Sequence, residues 1–164
     1  MEARFQRNLK VPSVPAFTAL TEIVEAIAEA RGTWRGFALH VDLSDLRLPD
    51  VGYLAIPIRL TAGKPRSTTR SIDVWFTAAK QPAAFPKFSG AAGIEATGPT
   101  GTSLWLAGDY DVPMSLFGKL FDRTIAAGVA TRTLENLVDD LAQAIVASVE
   151  KREAEYVRYR LYEG

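Results

Sequence analysis

Apolar and polar side chains alternate along much of the first two-thirds of the chain, which is the two-residue period of half-buried β-strands. In the clearest case Leu104 and Leu106 fall on one face, while Trp105 and Ala107 fall on the other. The alternation predicts strands at residues 4–11, 36–43, 53–60, 70–79 and 103–110, with a glycine-broken pair of short strands at 87–97.

Helical spacing replaces the alternation in two places. Residues 16–31 carry one apolar stripe that stops at Gly32, and a long tract from 117 to 149 carries another. The second stripe changes phase near Gly128, and glycine costs about 1 kcal/mol relative to alanine inside a helix. We therefore predict a kink or break between Ala126 and Thr131, with Thr131 capping the second piece.

This order of elements predicts the α+β class. A run of strands joined by short loops precedes the long helix, so the helix is expected to pack on one face of an antiparallel sheet. The chain has 164 residues, which is the size of about one domain. We assign residues 1–155 to a single domain and 156–164 to a C-terminal tail, which forms a helix extension, an interface strand or a disordered end.

Composition argues against several classes of function. Lysine plus arginine and aspartate plus glutamate both number 19, and this zero formal charge disfavours nucleic-acid binding by the whole domain. No stretch approaches the roughly 20 apolar residues of a membrane span, and the N-terminus lacks the apolar segment of a secretory signal. We therefore expect no integral membrane association and a cytoplasmic location. With one histidine and no cysteine, neither a metal site nor another cofactor is expected.

The charged residues offer little chemistry by themselves. His40 alternates onto the face opposite Leu39, which is the outer face if the apolar side lines the interior, so a surface role is expected rather than acid–base catalysis. Asp139 and Asp140 are adjacent on a helix, point about 100° apart and are expected to be solvated. Arg7 falls on the apolar face of the first strand, where its charge must be paired, reach water or meet a ligand's polar head.

Four motifs and one helix in the second half of the chain carry a family resemblance. The motifs are residues 85–90 (FPKFSG), 104–110 (LWLAGDY), 112–113 (VP) and 118–123 (GKLFDR), and the helix covers residues 133–145. Together they resemble the START-like, helix-grip superfamily (SRPBCC), which includes polyketide cyclases, pollen-allergen relatives and lipid carriers, and they are most similar to its bacterial members. The resemblance implies a curved antiparallel sheet that grips the C-terminal helix, with a cavity between them. Members bind lipids, sterols, polyketides or plant hormones, and some catalyse cyclisation or dehydration.

We therefore expect the protein to bind a small hydrophobic molecule, such as a lipid, a polyketide or an aromatic compound, between sheet and helix. Ligand pockets are usually apolar with few polar groups. The expected lining comes from the inner faces of the strands and of the helical tract: Arg7, Phe37, Leu39, Ile56, Ile58, Val74, Phe76, Phe88, Leu106, Phe121, Ile125, Leu137 and Leu141.

Two alternatives stay open. A cyclase or dehydratase would use the same cavity but would need a titratable group inside it, and Arg7 is the charged residue that the alternation places there. A protein-interaction module would use the outer face, because Trp75 and Trp105 both alternate outward and suggest a covering partner. That partner would be a second subunit of a homodimer, or the chain's own tail would cover them instead.

Overall fold

Six antiparallel strands form one sheet in the part of the chain that the structure describes, which is residues 1–33, 37–42, 44, 52–112 and 123–163 of a computed structural model. The strands are β1 (Glu2–Leu9), β2 (Ala38–Asp42), β3 (Tyr53–Ala62), β4 (Ser71–Ala78), β5 (Lys87–Ala96) and β6 (Thr102–Asp111). Two helices, α1 (Ser13–Ala30) and α2 (Arg123–Glu163), follow β1 and β6, and a 3-10 turn lies at Pro82–Ala84. The spatial order is β1-β6-β5-β4-β3-β2, so β1 and β2 are the two edges. The α+β class is confirmed, and the curled sheet grips α2.

The alternation along β4 sorts its side chains into an inner and an outer face. Val74 and Phe76 are buried, whereas Trp75 between them is 45% exposed. Because β4 pairs with β3 on one side and β5 on the other, both rows of backbone groups are hydrogen-bonded and only the two faces differ. Buried side chains from the inner face and from both helices form a single hydrophobic cluster.

Strand β5 is continuous from Lys87 to Ala96, so the expected glycine-broken pair of strands is wrong. Its glycines permit a close approach to β6 instead of ending the strand. Gly90 lies opposite Gly108, and a Cβ atom on Gly90 would stand 2.1 Å from the carbonyl oxygen of Ala107. A side chain at this position would therefore push the two strands apart.

Helix α1 begins at Ser13, earlier than the expected residue 16, directly after the extended Pro12. It buries Leu20, Val24 and Ile27 of the predicted stripe together with Ala16 and Ala19, whereas Phe17, which the spacing also predicted to be buried, is partly buried. The helix ends where Arg31 and Gly32 adopt left-handed backbone conformations. A Cβ atom on Gly32 would lie 2.6 Å from that of Ala79, so glycine suits this turn both by conformation and by space.

Helix α2 runs without interruption from Arg123 to Glu163, so the predicted break between Ala126 and Thr131 is wrong. Small residues and one threonine carry the buried stripe through this segment. Thr133 is also buried, and its hydroxyl is satisfied there because it donates to the carbonyl of Val129 at 2.8 Å within the helix. Gly128 points to solvent, and nothing lies within 4 Å of the place its Cβ atom would occupy. The buried positions of α2 are Ala126, Val129, Ala130, Thr133, Leu134, Leu137, Val138, Leu141, Ala142, Ile145 and Val149.

The last buried position, Val149, marks the point at which α2 leaves the body of the protein. Residues 151–162 are all exposed, although they remain helical. Arg152 forms an ion pair with Glu22 of α1, which ties the two helices together just before α2 extends beyond them. Residues 156–163 thus extend the helix, one of the three conformations expected for the tail.

Replacing Gly128 with alanine should stabilise the protein by about 0.5–1 kcal/mol, because the position is helical, exposed and open. Urea unfolding followed by circular dichroism measures the change. The matched variant Ala127→Gly should lose stability by a similar amount. A loss of stability in Gly128→Ala would contradict the continuous helix.

The ion pair between α1 and α2 should be visible in the titration of Glu22. Its hydrogen bond to Arg152 lowers the pKa of Glu22 below the ordinary value. The stabilisation is therefore present above the unfolded-state pKa and is lost as the pH falls through the lowered folded-state pKa. In an NMR titration of the glutamate carboxyl carbons, Arg152→Gln should raise the pKa of Glu22 back towards its ordinary value. Arg158→Gln, further along the exposed helix, should leave the Glu22 pKa unchanged.

Candidate functional site

The side chains expected to line a cavity lie mostly in the core. On the sheet, Leu39, Ile56, Ile58, Val74, Phe76, Phe88 and Leu106 are all buried, as are Leu137 and Leu141 on α2. They belong to one hydrophobic cluster, so sheet and helix meet through direct side-chain packing there. A ligand in the middle of this interface would have to displace packed side chains, which is costly in a close-packed interior. Phe121 and the side chain of Ile125 lie outside the described part of the chain.

Three aromatic side chains form a row across the inner face of the sheet. Phe76 and Phe88 stack with ring centroids 5.0 Å apart and an interplanar angle of 15°. Phe88 is paired in register with Tyr110 on β6, so the row crosses β4, β5 and β6. All three side chains are buried. This row, Phe76–Phe88–Tyr110, is hereafter the aromatic row.

A pair of hydroxyl groups joins one end of the aromatic row to α2. The hydroxyl of Tyr110 lies 2.9 Å from that of Thr131, and either group can act as the donor. The row thus combines flat apolar surface with hydroxyls that can both donate and accept hydrogen bonds. Tyr110 lies on the same face of β6 as Leu104 and Leu106, so the alternation along the sequence could have predicted that its side chain points inward. Thr131 was expected in a different role, because the predicted break made it a helix cap.

A second polar cluster lies on the seam between the edge strand β2 and α2. His40 Nδ1 lies 2.9 Å from Asp140 Oδ2, and the side-chain amide of Asn136 donates to the carbonyl of His40 at 3.1 Å. Tyr53 meets the histidine ring edge-on, with centroids 6.4 Å apart. These residues and Asp139 line an open cleft of about 310 Å³. His40 therefore contacts the helix at the edge of the sheet, and the simple surface role expected for it is incomplete.

The seam continues as a wider and more apolar groove. His40 and Asp140 also line this groove, of about 580 Å³, together with Phe37 and several alanines of β2, β3 and α2. Phe37 is partly buried, so it differs from the buried sheet residues of the expected lining by contributing to an open surface. A third cleft, of about 590 Å³, lies between α1 and the segment around Pro65 and Arg70.

The opposite edge of the sheet is also tied to α2. The guanidinium of Arg7 on β1 forms an ion pair with Asp139, including a 3.3 Å contact from Nη2 to Oδ2, and Nη1 donates to the carbonyl of Gln6 at 2.9 Å. The hydrogen bond to Asp139 raises the pKa of Arg7. Asp139 and Asp140 stay 45% and 34% exposed, yet each pairs with a strand residue, so the expectation of simple solvation is corrected. Arg7 is paired by protein, which was one of the options left open for it.

Neither a metal cluster nor a membrane-spanning helix occurs in the described part of the chain. Among its residues, no group of three or more histidine, aspartate or glutamate side chains is arranged to hold a metal ion. None of its helices is long and apolar enough to cross a membrane.

Comparison with known proteins identifies the fold. No protein-family model matches the chain, and no curated protein matches it. Among solved structures, TTHA0849 from Thermus thermophilus is 15% identical, with a TM-score of 0.53 over 90% of this chain and 99% of that one. Norcoclaurine synthase from Thalictrum flavum, in complex with dopamine and hydroxybenzaldehyde, is 9% identical, with a TM-score of 0.51 over 90% and 87%.

A START superfamily protein from Mycobacterium smegmatis is also similar, with 17% identity and a TM-score of 0.44 over 92% of this chain and 97% of that one. This chain has the helix-grip fold that its sequence motifs implied, and it shares this fold with TTHA0849 and norcoclaurine synthase. At these identities the similarity establishes the fold and leaves the activity to be argued from the site.

The tie between β1 and α2 should be measurable by a double-mutant cycle. Arg7→Gln and Asp139→Asn should show a coupling of about 0.5–1 kcal/mol in the free energy of unfolding, the upper range for partly exposed pairs. Urea unfolding of the wild type, both single variants and the double variant gives this value. Arg4→Gln combined with Asp139→Asn is the control, because Arg4 stacks on Trp105 at the outer face. Additive effects in the Arg7 cycle would contradict the pairing.

Proposed function

We propose that the protein binds a small aromatic molecule at the end of the sheet–helix interior that the aromatic row and the N-terminal part of α2 form. The observation that carries this proposal is the buried row Phe76–Phe88–Tyr110 with its hydroxyl pair at Thr131. Aromatic side chains offer rigid surfaces, and stacked pairs gain about 0.5–1.5 kcal/mol beyond the burial of their area. A hydroxyl pair in apolar surroundings would fix the orientation of a ligand's polar group.

The part of α2 around Thr131 carries short side chains towards the proposed ligand position. Its buried residues close to Thr131 include Ala126 and Ala130, whose short side chains fill less of the interior than the leucines further along the helix. The predicted ligand contacts at Phe121 and Ile125 precede these alanines in the sequence and belong to the same proposal. A ligand would therefore lie beside the start of the helix, rather than among the packed leucines in its middle.

The ligand class is supported by one of the fold's known members. Norcoclaurine synthase was solved with dopamine and hydroxybenzaldehyde, which are both aromatic molecules that carry hydroxyl groups. A ring that can stack and a hydroxyl that can hydrogen-bond are the two features that the aromatic row and its hydroxyl pair would recognise. Small hydrophobic molecules, which also include lipids and polyketides, are the broader class within which we place this ligand.

Binding is favoured over the two alternatives. A cyclase or dehydratase would need a free acid–base group in the site, but the guanidinium of Arg7 is held by Asp139, the imidazole of His40 contacts Asp140 at the seam, and the hydroxyl of Tyr110 is bonded to that of Thr131. A protein-interaction surface on the outer face would rely on both tryptophans. Trp105 is already covered in part by the guanidinium of Arg4, 4.9 Å from its ring centroid, which leaves Trp75 as the more exposed of the two.

Isothermal titration calorimetry with 4-hydroxybenzaldehyde and benzaldehyde tests the proposal. Tyr110→Phe should weaken binding of the hydroxylated ligand about fivefold, the value of one neutral hydrogen bond, and leave benzaldehyde binding nearly unchanged. Phe88→Leu should weaken both ligands, because it removes ring surface while keeping an apolar side chain.

Phe37→Ala is the matched control, because Phe37 lines the open groove at the β2–α2 seam and not the aromatic row. The variant should bind both ligands like the wild type, and thermal unfolding of each variant checks that it is folded. Loss of binding in Phe37→Ala with normal binding in Phe88→Leu would move the site to the seam. Absence of binding of both ligands to the wild type would contradict the aromatic-ligand proposal itself.

A further inference from the structure

The exposed end of α2 carries apolar side chains that no other element of the described structure covers. Tyr156 is 59% exposed, Val157 55%, Leu161 75% and Tyr162 90%. Tyr162 lies on the side of the helix opposite Tyr156 and Val157, so the apolar surface on any one side is small. Exposed apolar side chains that share a side are a usual mark of an interaction site. They begin immediately beyond the Arg152–Glu22 ion pair, which joins α2 to the body of the protein.

The segment continues a helix that is already formed, so it carries no separate nucleation cost. Helices in proteins normally gain further stability by packing an apolar face, and residues 151–162 are all exposed. A partner packed against one side of the segment would add this contribution.

One face of the segment has a pattern that complements itself. Glu153, Tyr156, Val157 and Arg160 follow the spacing i, i+3, i+4, i+7 and so share one side of the helix. The guanidinium of Arg160 lies 5.2 Å from the ring centroid of Tyr156, which agrees with this shared side. We call these four residues the terminal face.

An antiparallel pair of identical helices, centred between residues 156 and 157, would match the terminal face with a copy of itself. In this register Glu153 meets Arg160, and Tyr156 meets Val157, on both sides of a two-fold axis. Opposite charges then flank a central apolar contact, and the same patch serves both copies, as a two-fold interface requires. Residues 151–164 contain four basic and three acidic residues, so the segment lacks the strong basic excess expected for nucleic acid or an anionic membrane.

We propose that the protein forms a homodimer through the terminal face, with the two α2 helices antiparallel and Glu153 of each copy beside Arg160 of the other. The partner is thus a second copy of this chain. The contact differs from the outer tryptophan face considered in the sequence and does not depend on the aromatic-ligand site. Apolar burial supplies the affinity, and the charge pairs select the antiparallel register.

Sedimentation equilibrium of the full chain, from low micromolar to submillimolar concentration, tests the proposal through charge exchange. Glu153→Arg would place two arginines together at each end of the interface, and Arg160→Glu would place two glutamates together. Each single variant should raise the dimer dissociation constant at least about tenfold. The double variant Glu153→Arg/Arg160→Glu restores the opposite charges and should recover dimerisation to near the wild-type value.

Glu155→Arg and Arg158→Glu are the matched controls, because these positions lie on the other side of the helix. Both should dimerise like the wild type, and circular dichroism verifies the helix content of every variant. A wild type that stays monomeric throughout would overturn the proposal. It is equally overturned if the single terminal-face variants match the controls, or if the folded double variant fails to recover.

Discussion

Both edge strands of the sheet, β1 and β2, contact the same helix, α2. An edge strand presents unpaired backbone groups that need cover, and at β2 the amide of Asn136 caps the carbonyl of His40. The neighbouring carboxylates Asp139 and Asp140 point in different directions from one turn of α2, so one reaches Arg7 on β1 and the other reaches His40 on β2. The two ion pairs therefore lie on either side of α2, so the helix crosses the inner face of the curled sheet between its two edges.

In the curled sheet, the inner side chains of several strands face α2. The size of the side chains that α2 buries changes along its length. Leucines and isoleucines fill the middle of α2, where the helix meets the sheet through tight hydrophobic contact. Towards the start of the helix the sheet contributes Phe76, Phe88 and Tyr110, and α2 contributes short side chains and Thr131. The candidate site therefore lies where the same two elements change from close packing to an aromatic surface with polar groups.

Glycine and threonine caused the errors of local interpretation, because each can serve opposite purposes. Gly128 suggested a helix break, yet it lies on the solvent side of a continuous helix, while Thr133 takes an apolar position by bonding within the helix. Gly90 suggested a strand end, yet it lets two paired strands approach closely. A glycine's effect depends on what lies next to it, and that neighbour is usually distant in sequence.

The sequence by itself determined the strands and helices, the α+β class and the sorting of side chains into inner and outer faces, because these follow from local periodicity and short-range sterics. It identified Phe76 and Phe88 as inward residues for the same reason, and its motifs indicated the helix-grip fold. Only the tertiary structure decided that Tyr110 meets Thr131, that Asp139 and Asp140 hold opposite edges of the sheet, and that most inner side chains fill a core. Those outcomes depend on strand register and on where α2 crosses the sheet, which bring together residues far apart in the chain.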